Sequence, residues 1–377
     1  MKPIAIYLPQ FYPIPENDEW WGKGFTEWTN VTKAKPLFHN HYQPHLPADL
    51  GFYDLRLEEV RIAQAKMAND YGIHGFCYYH YWFNGRRILD RPFQEVYESN
   101  KPDFPFMLCW ANENWTRTWD GLNKHILLEQ EYSEEDDIAH IKSLIPFFKD
   151  SRYIKINGKP VFAIYKSALL PNIQKTISVW RKEAKLENLD LYLCVFESFG
   201  NHSIKMIQNG FDASIEFQPF SNYLYEFIES KTLQLLNSTF RNRIFKEVFK
   251  IFNYPKDSLN LYEKCKKTVM QNLEYSEFVD YLINNYQFEQ DYVKYPGITP
   301  SWDNTARRGN NAFFLKNSTP KKFEQWLKFL SDNLANKTDD NNFIFINAWN
   351  EWAEGNHLEP CQKWGHKYLE AVKKITS

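Results

Sequence analysis

Near its C-terminal end the chain reads FIFINAWNEWAEGNHLEP, residues 343–360. Phe343, Ile344, Phe345 and Ile346 follow one another without an alternating polar residue, which marks a strand covered on both faces, as parallel strands under a layer of helices are. The apolar run stops in Asn350, Glu351 and Glu354, with Trp349 and Trp352 beside them. On a continuing strand, residues i and i+3 point to opposite faces, so the strand must end between the two glutamates. Gly355 permits a turn there. On a helix-like turn the two Cβ atoms come within about 5–6 Å, and like charges that close raise one carboxyl pKa, leaving a protonated acid beside a base at neutral pH.

Working outward, short β-rich runs recur at residues 4–11, 75–82, 106–112, 161–166, 191–198, 212–219 and 297–303, before the eighth at 343–349. Most are separated by stretches of helical period, such as residues 55–71, where Leu55, Val60, Ile62 and Met67 alternate with charged and amide residues. Strand then helix, eight times, predicts an α/β fold of the closed (β/α)8 TIM-barrel type rather than an open sheet. The 377 residues then form one domain, 1–377. Residues 220–294 are too long for a plain connection and read as a Lys-rich helical insertion after strand six, placed to wall or cover the barrel mouth.

Composition narrows the function. A formal net charge of -2 lacks the basic excess that nucleic-acid binding requires. Aromatic residues make up 18% of the chain, with 13 Trp, and they cluster beside polar residues. Flat apolar faces next to amides and carboxylates suit sugar rings, although a core of large side chains is the other use of such residues. The five cysteines have no metal-like spacing and read as reduced, buried thiols. No stretch resembles a secretory leader or a membrane span, so the expectation is a cytoplasmic chain, or a periplasmic one if already processed.

In a barrel the catalytic groups come from the C-terminal strand ends. The second end offers Tyr78, His80 and Trp82. The third, CWANENWTRTWDG, offers Trp110, Asn112, Glu113 and Trp115, then Trp119 and Asp120. Glu197 closes the fifth, Glu216 the sixth, Trp302, Asp303, Arg307 and Arg308 the seventh, and Asn350, Glu351 and Glu354 the eighth. Such a ring, with no Gly-rich phosphate loop and no nucleophilic Ser, Cys and His set, fits glycosyl chemistry, which needs one carboxylic acid and one carboxylate. Glu351 and Glu354 are the expected catalytic pair. Tyr78, His80, Trp82, Trp110, Asn112, Glu113, Trp115, Glu216, Trp302, Asp303 and Asn350 are the expected substrate contacts, with no metal and no cofactor. His39, His41 and His45 in FHNHYQPHLP lack the partners of a zinc signature and read as a loop that brings one imidazole, or Tyr42, near the sugar. NDEWWGKGFTEW, residues 17–28, is either an aromatic platform or a self-packed loop, and Ser133 is the expected N-cap of the acidic helix that follows it.

WNEWAEG, together with FCYYHYWF, CWANENWTRTWDG and YPGITPSWDNTARR, resembles the WbsX-type proteins, whose domain is similar to the glycoside hydrolase family 99 endo-α-mannosidases. The resemblance runs from Ile4 to about Pro360 and is weakest in the insertion. It implies a (β/α)8 barrel and cleavage with retention of configuration: the first Glu of the ExxE pair, here Glu351, deprotonates the sugar's 2-hydroxyl, and the second, here Glu354, protonates the leaving group. It implies a mannose-like α-linked substrate in an oligosaccharide or polysaccharide. WbsX-type proteins are also labelled glycosyltransferases of lipopolysaccharide O-antigen assembly, for which neither a nucleotide-binding half nor an Asp-x-Asp pair is found here. A catalytically silent sugar-binding barrel is the third reading.

Overall fold

The computed structural model describes residues 1–117, 122–198, 203–241, 255–289, 291–334 and 342–377. Parallel strands β1 (Lys2–Tyr7), β2 (Gly75–Phe83), β3 (Phe106–Trp110), β4 (Lys159–Ile164), β5 (Tyr192–Glu197) and β6 (Ala213–Glu216) pair in chain order. The seventh position is split at Pro296, which has no N–H to give to a ladder. Its first piece, Lys294–Tyr295, pairs with β6, and its second, Gly297–Ile298, pairs with the last strand, Phe343–Ile346. We label the two pieces together β7 and the last strand β8. Because β8 also pairs with β1, the ring closes through the interrupted strand, and the eight-position barrel expected from the sequence is the fold observed.

Helices Glu58–Asp70, Arg91–Ser99, Glu134–Phe148, Ile173–Leu186, Ser203–Gln208 and Pro320–Leu334 fill the connections, and Lys367–Thr376 follows β8. Ser133 caps its helix as the sequence predicts, accepting from the Asp136 N–H at 3.0 Å.

The register decides which side chains can reach a site. Tyr79, Cys109, Ala163 and Cys194 are ladder partners across β2, β3, β4 and β5. They belong to the inner parity, as does Phe196, whose ring meets that of Phe345 across the barrel at 6.2 Å. The opposite parity faces the helices: Tyr7 donates to Gln64, and His80 stacks on His140 of the Glu134–Phe148 helix. All five cysteines are free and buried, and burial pushes Cys109 and Cys194 well above the ordinary thiol range. A neutral buried thiol is a small apolar filler rather than a nucleophile.

Between β6 and β7 lie helices Asn222–Arg241, Pro255–Met270 and Tyr275–Asn285, with residues 242–254 outside the described set. Phe220, at the start of the insertion, lines the cavity at the strand ends, and no described residue of these helices does. They pack on the flank, where Phe278 meets Trp326 of the Pro320–Leu334 helix at 6.0 Å and the Tyr275 hydroxyl donates to the Thr299 carbonyl. The apolar stripe of Phe278, Val279 and Leu282 is fully buried against that neighbour, which explains the sideways placement.

Candidate active site

A cavity of about 530 Å³ opens at the C-terminal ends of the strands. Its wall includes Gln10 after β1, Tyr79 and Tyr81 of β2, Glu113 and Trp115 after β3, Tyr165 after β4, Phe217 after β6, Trp302 and Arg307 after β7, and Glu351 and Glu354 after β8.

The segment after β8 is built to deliver the last two. Asn350 fastens it to the end of β1, accepting from the Leu8 N–H at 2.7 Å and donating to the Leu8 carbonyl at 3.0 Å. Asn350–Glu351 then pairs antiparallel with Asn356–His357, and Trp352–Glu354 forms a single 3-10 turn between them. Gly355 closes the turn at φ 56, in the left-handed region that suits glycine, and a Cβ there would lie 2.9 Å from the Cβ of Asp303. The Asp303 N–H donates to the Glu354 carbonyl at 2.6 Å. Trp352 stacks on His357 with centroids 3.8 Å apart and donates to Glu359 at 2.6 Å.

At the bottom of this wall one guanidinium meets three carboxylates. Arg307 donates through Nη2 to Glu27 at 2.5 Å and to Glu351 at 2.9 Å, and through Nη1 to Glu354 at 2.6 Å. Both members of the pair therefore lie within the span of one guanidinium, on the same cavity. Glu27 is completely buried, and its bonded oxygen also accepts from the Ala353 N–H at 3.2 Å, tying Arg307 and the turn to one anchor. Burial, and then the neighbouring Glu354, push Glu351 well above the ordinary carboxylate value. Burial raises Glu354 too, with Arg307 pulling the other way. The pair thus retains a proton where exposed carboxylates would have lost theirs.

Of the expected contacts, Glu113, Trp115 and Trp302 line the cavity beside Glu351 and Glu354, and eight others do not. Tyr78, His80, Trp82 and Trp110 have the outer parity. Tyr78 packs on Tyr7, His80 lies 3.0 Å from His140, Trp82 donates to Asp136, and Trp110 packs on His140 and Trp180. The residues of YYHYWF that face the cavity are Tyr79 and Tyr81, one position on from those expected.

Asn112 instead ties two strand ends, exchanging hydrogen bonds with the Lys166 backbone at 2.8 Å, and Asn350 is the fastener described above. Glu216 turns outward with its ladder partner Glu197, beside Lys294, onto a separate cavity of about 190 Å³ under the insertion. Asp303 lies behind the turn. Burial favours its neutral form, but hydrogen bonds from His41 at 2.7 Å and Thr305 hold it below the usual carboxylate value. Trp119 and Asp120 lie outside the described residues.

The histidine loop does not reach the cavity: His41 pairs with Asp303, and His45 sits 2.9 Å from His357. With Tyr42 these line a neighbouring cavity of about 340 Å³. Segment 17–28 forms parts of two short helices, Pro15–Trp21 and Glu27–Lys33. It is mixed in use: Trp21 reaches the cavity, whereas Trp28 is buried against Phe11, Tyr53 and Trp352. Among the described residues no group of three or more His, Cys, Asp or Glu is placed to hold a metal ion. Nor is any helix among them long and apolar enough to cross a membrane.

Sequence reasoning missed Glu27 and Arg307 as part of this constellation. The available signal was physical: several carboxylates converging in one buried hollow require a cation, and Arg307 stands at the seventh strand end.

Fold and cavity together define a (β/α)8 barrel with a carboxylate- and aromatic-lined hollow at the C-terminal strand ends. Two structures of the GH99 endo-α-mannosidase from Bacteroides thetaiotaomicron superpose with TM-scores of 0.57 and 0.56 at 13% identity, covering 99% of this chain and 95% and 96% of theirs. A structure described as a glycoside hydrolase-like protein gives 0.56 at 14% identity, covering 100% of this chain and 94% of that one. The chain belongs to the WbsX family, whose model, described as Glycosyltransferase WbsX, matches residues 3–372. The uncharacterized protein WxcX of two strains of Xanthomonas campestris pv. campestris is 36% identical over 373 residues, 98% of this chain. The chain spans about half, 49%, of the length of these relatives.

Proposed function

We propose that this chain is a retaining glycoside hydrolase acting on α-linked, mannose-like sugars of glycans or bacterial polysaccharide. The observation that carries the proposal is the placement of Glu351 and Glu354 on one turn, on the wall of one aromatic-lined cavity, bridged by one guanidinium. Glu351 is the base that takes the proton of the sugar's 2-hydroxyl, whose oxygen attacks the anomeric carbon. Glu354 protonates the departing glycosidic oxygen. Water then opens the anhydro-sugar with the two roles reversed, so two inversions give net retention. A raised carboxyl pKa serves both tasks, keeping the acid protonated and making the base stronger once it is ionised. Tyr79, Tyr81, Trp115 and Trp302 supply ring faces for the sugar's C–H side.

The family description favours a second reading, a glycosyltransferase of lipopolysaccharide O-antigen or surface-polysaccharide assembly. A panel of α-mannosides, α-rhamnosides and bacterial polysaccharides separates the two when incubated with and without nucleotide-sugar and lipid-linked donors. The hydrolase reading expects sugar released in the α-configuration with no donor present, followed by NMR before mutarotation. Turnover that depends on an added donor would replace it with the transferase.

A further inference from the structure

The charges on the cavity wall do not cancel evenly. Arg307 is engaged by Glu27, Glu351 and Glu354, and Lys166 pairs with Glu113 at 2.6 Å. Arg308 is the exception. It lines the same cavity, its residue is exposed, and no acidic side chain among the described residues pairs with it. It ends the short helix Thr305–Arg308, which packs against the Trp352–Glu354 turn, so its backbone is held relative to the pair.

The position of this cation along the cavity is informative. The helix that Arg308 ends contacts the Trp352–Glu354 turn, which carries Glu354 and not Glu351. On the proposed assignment, Glu354 is the acid that faces the leaving-group oxygen, so Arg308 lies on the leaving-group side. An arginine fork recognises carboxylate and phosphate oxygens by paired charge-assisted hydrogen bonds. Asn304 and Asn311 stand on the same wall and add amide groups for the hydroxyls around such an anion.

We propose that Arg308 forms an anion-recognising subsite, so that the sugar on the leaving-group side of the scissile bond carries a carboxylate or phosphate. This inference rests on the hydrolase reading for its sidedness alone; the recognition of an anion in the cavity stands without it. The substrate is then an acidic glycan rather than a neutral mannan.

The test is equilibrium binding to the full chain, by calorimetry at low and at physiological salt. The probes are an α-mannosyl-glucuronic acid disaccharide, its carboxyl-reduced α-mannosyl-glucose counterpart, and α-mannose 1-phosphate beside mannose. Wild-type protein is expected to bind one charged probe at least about tenfold more tightly than its neutral partner, since one charge-assisted pair supplies that much. Which charged probe shows the preference identifies uronate or phosphate. In Arg308→Gln the preference disappears while binding of the neutral partner persists, and in Arg308→Lys it is kept in part. Equal binding of charged and neutral partners by the wild type overturns the proposal, as does a preference that survives in Arg308→Gln, or no binding of any probe. Turnover of the same disaccharides is followed separately: a charge preference without hydrolysis sinks the hydrolase reading and leaves the anion subsite standing.

Discussion

At Arg307 one guanidinium faces three carboxylates, and the side chains of Glu27, Glu351 and Glu354 are 0%, 7% and 16% exposed. Full ionisation would leave these four groups with a net charge of about −2, which the exposed Arg308 on the same wall offsets only in part, a state of high cost where Glu27 and Glu351 are buried. Retention of a proton by the pair relieves it. The pH profile should therefore show an alkaline limb above the ordinary carboxylate range, where the pair loses its shared proton. Arg307 opposes that elevation, so its removal must raise the pair further. Arg307→Gln is expected to move the alkaline limb upward and to lower kcat by about 10²-fold or more, whereas Arg307→Lys, which keeps the charge, moves the limb less. A pH–rate profile of each variant, with circular dichroism to verify folding, checks this. An unshifted limb in Arg307→Gln would mean that the guanidinium does not govern the pair. Glu27 and Arg307 stand 280 positions apart, and no local pattern announces their pairing.

At the scale of elements, the turn at Trp352–Glu354 was legible from sequence because alternation forbids both glutamates on one side of a strand and Gly355 supplies the exit. Gly355→Ala tests it. A Cβ 2.9 Å from that of Asp303, on a backbone at φ 56, is expected to destabilise the chain by about 1–2 kcal/mol. It should reduce activity by more than that loss of stability explains, since Glu354 moves with the turn. Thermal denaturation and kinetics of one preparation give both numbers, and a variant with unchanged activity would show that the turn's placement is not critical.

The parity of β2 was not legible, for a definite reason. A strand buried on both faces loses the polar–apolar alternation that marks inside from outside, and YYHYWF has aromatics at both parities. Tyr78, His80 and Trp82 were as eligible as Tyr79 and Tyr81 until the register with Cys109 and Ala163 fixed the inner face. Asn112 and Asn350 were misread for a related reason: an amide at a strand end serves equally to bind a hydroxyl or to fasten two backbones, and these two fasten.

Taken as a whole molecule, the barrel was readable because eight apolar runs and their intervening helical periods are local signals, and β7 was found despite the break at Pro296. The direction taken by the insertion was not, since it depends on the burial of Phe278, Val279 and Leu282 against a helix some forty positions on. The stability of the whole should also carry a pH signature. Burial raises Glu359 from 4.5 to about 7, even though Trp352, Gln64 and Tyr53 all donate to it. At Glu359 the folded chain then binds a proton that the unfolded chain has released, so this group's contribution to stability is full below about pH 4.5 and is lost as pH rises to about 7, opposite in sign to that of the buried neutral histidines His45, His80, His140 and His357. The loss is on the order of 3 kcal/mol. Measured against Glu359→Gln, the wild type should lose melting temperature across that window; a difference between the two that does not change with pH would assign the effect elsewhere.

The central claim is that Glu351 and Glu354 act as base and acid on one α-linked sugar, and paired kinetics on two leaving groups test it most directly. On a disaccharide α-mannoside, Glu351→Gln and Glu354→Gln should each lose at least about 10²-fold in kcat/KM. On an aryl α-mannoside, whose leaving group departs without a proton, Glu354→Gln should recover most of its activity while Glu351→Gln remains impaired. Wild-type turnover by either variant on the disaccharide would contradict the claim, and equal impairment of both on the aryl substrate would contradict the division of roles.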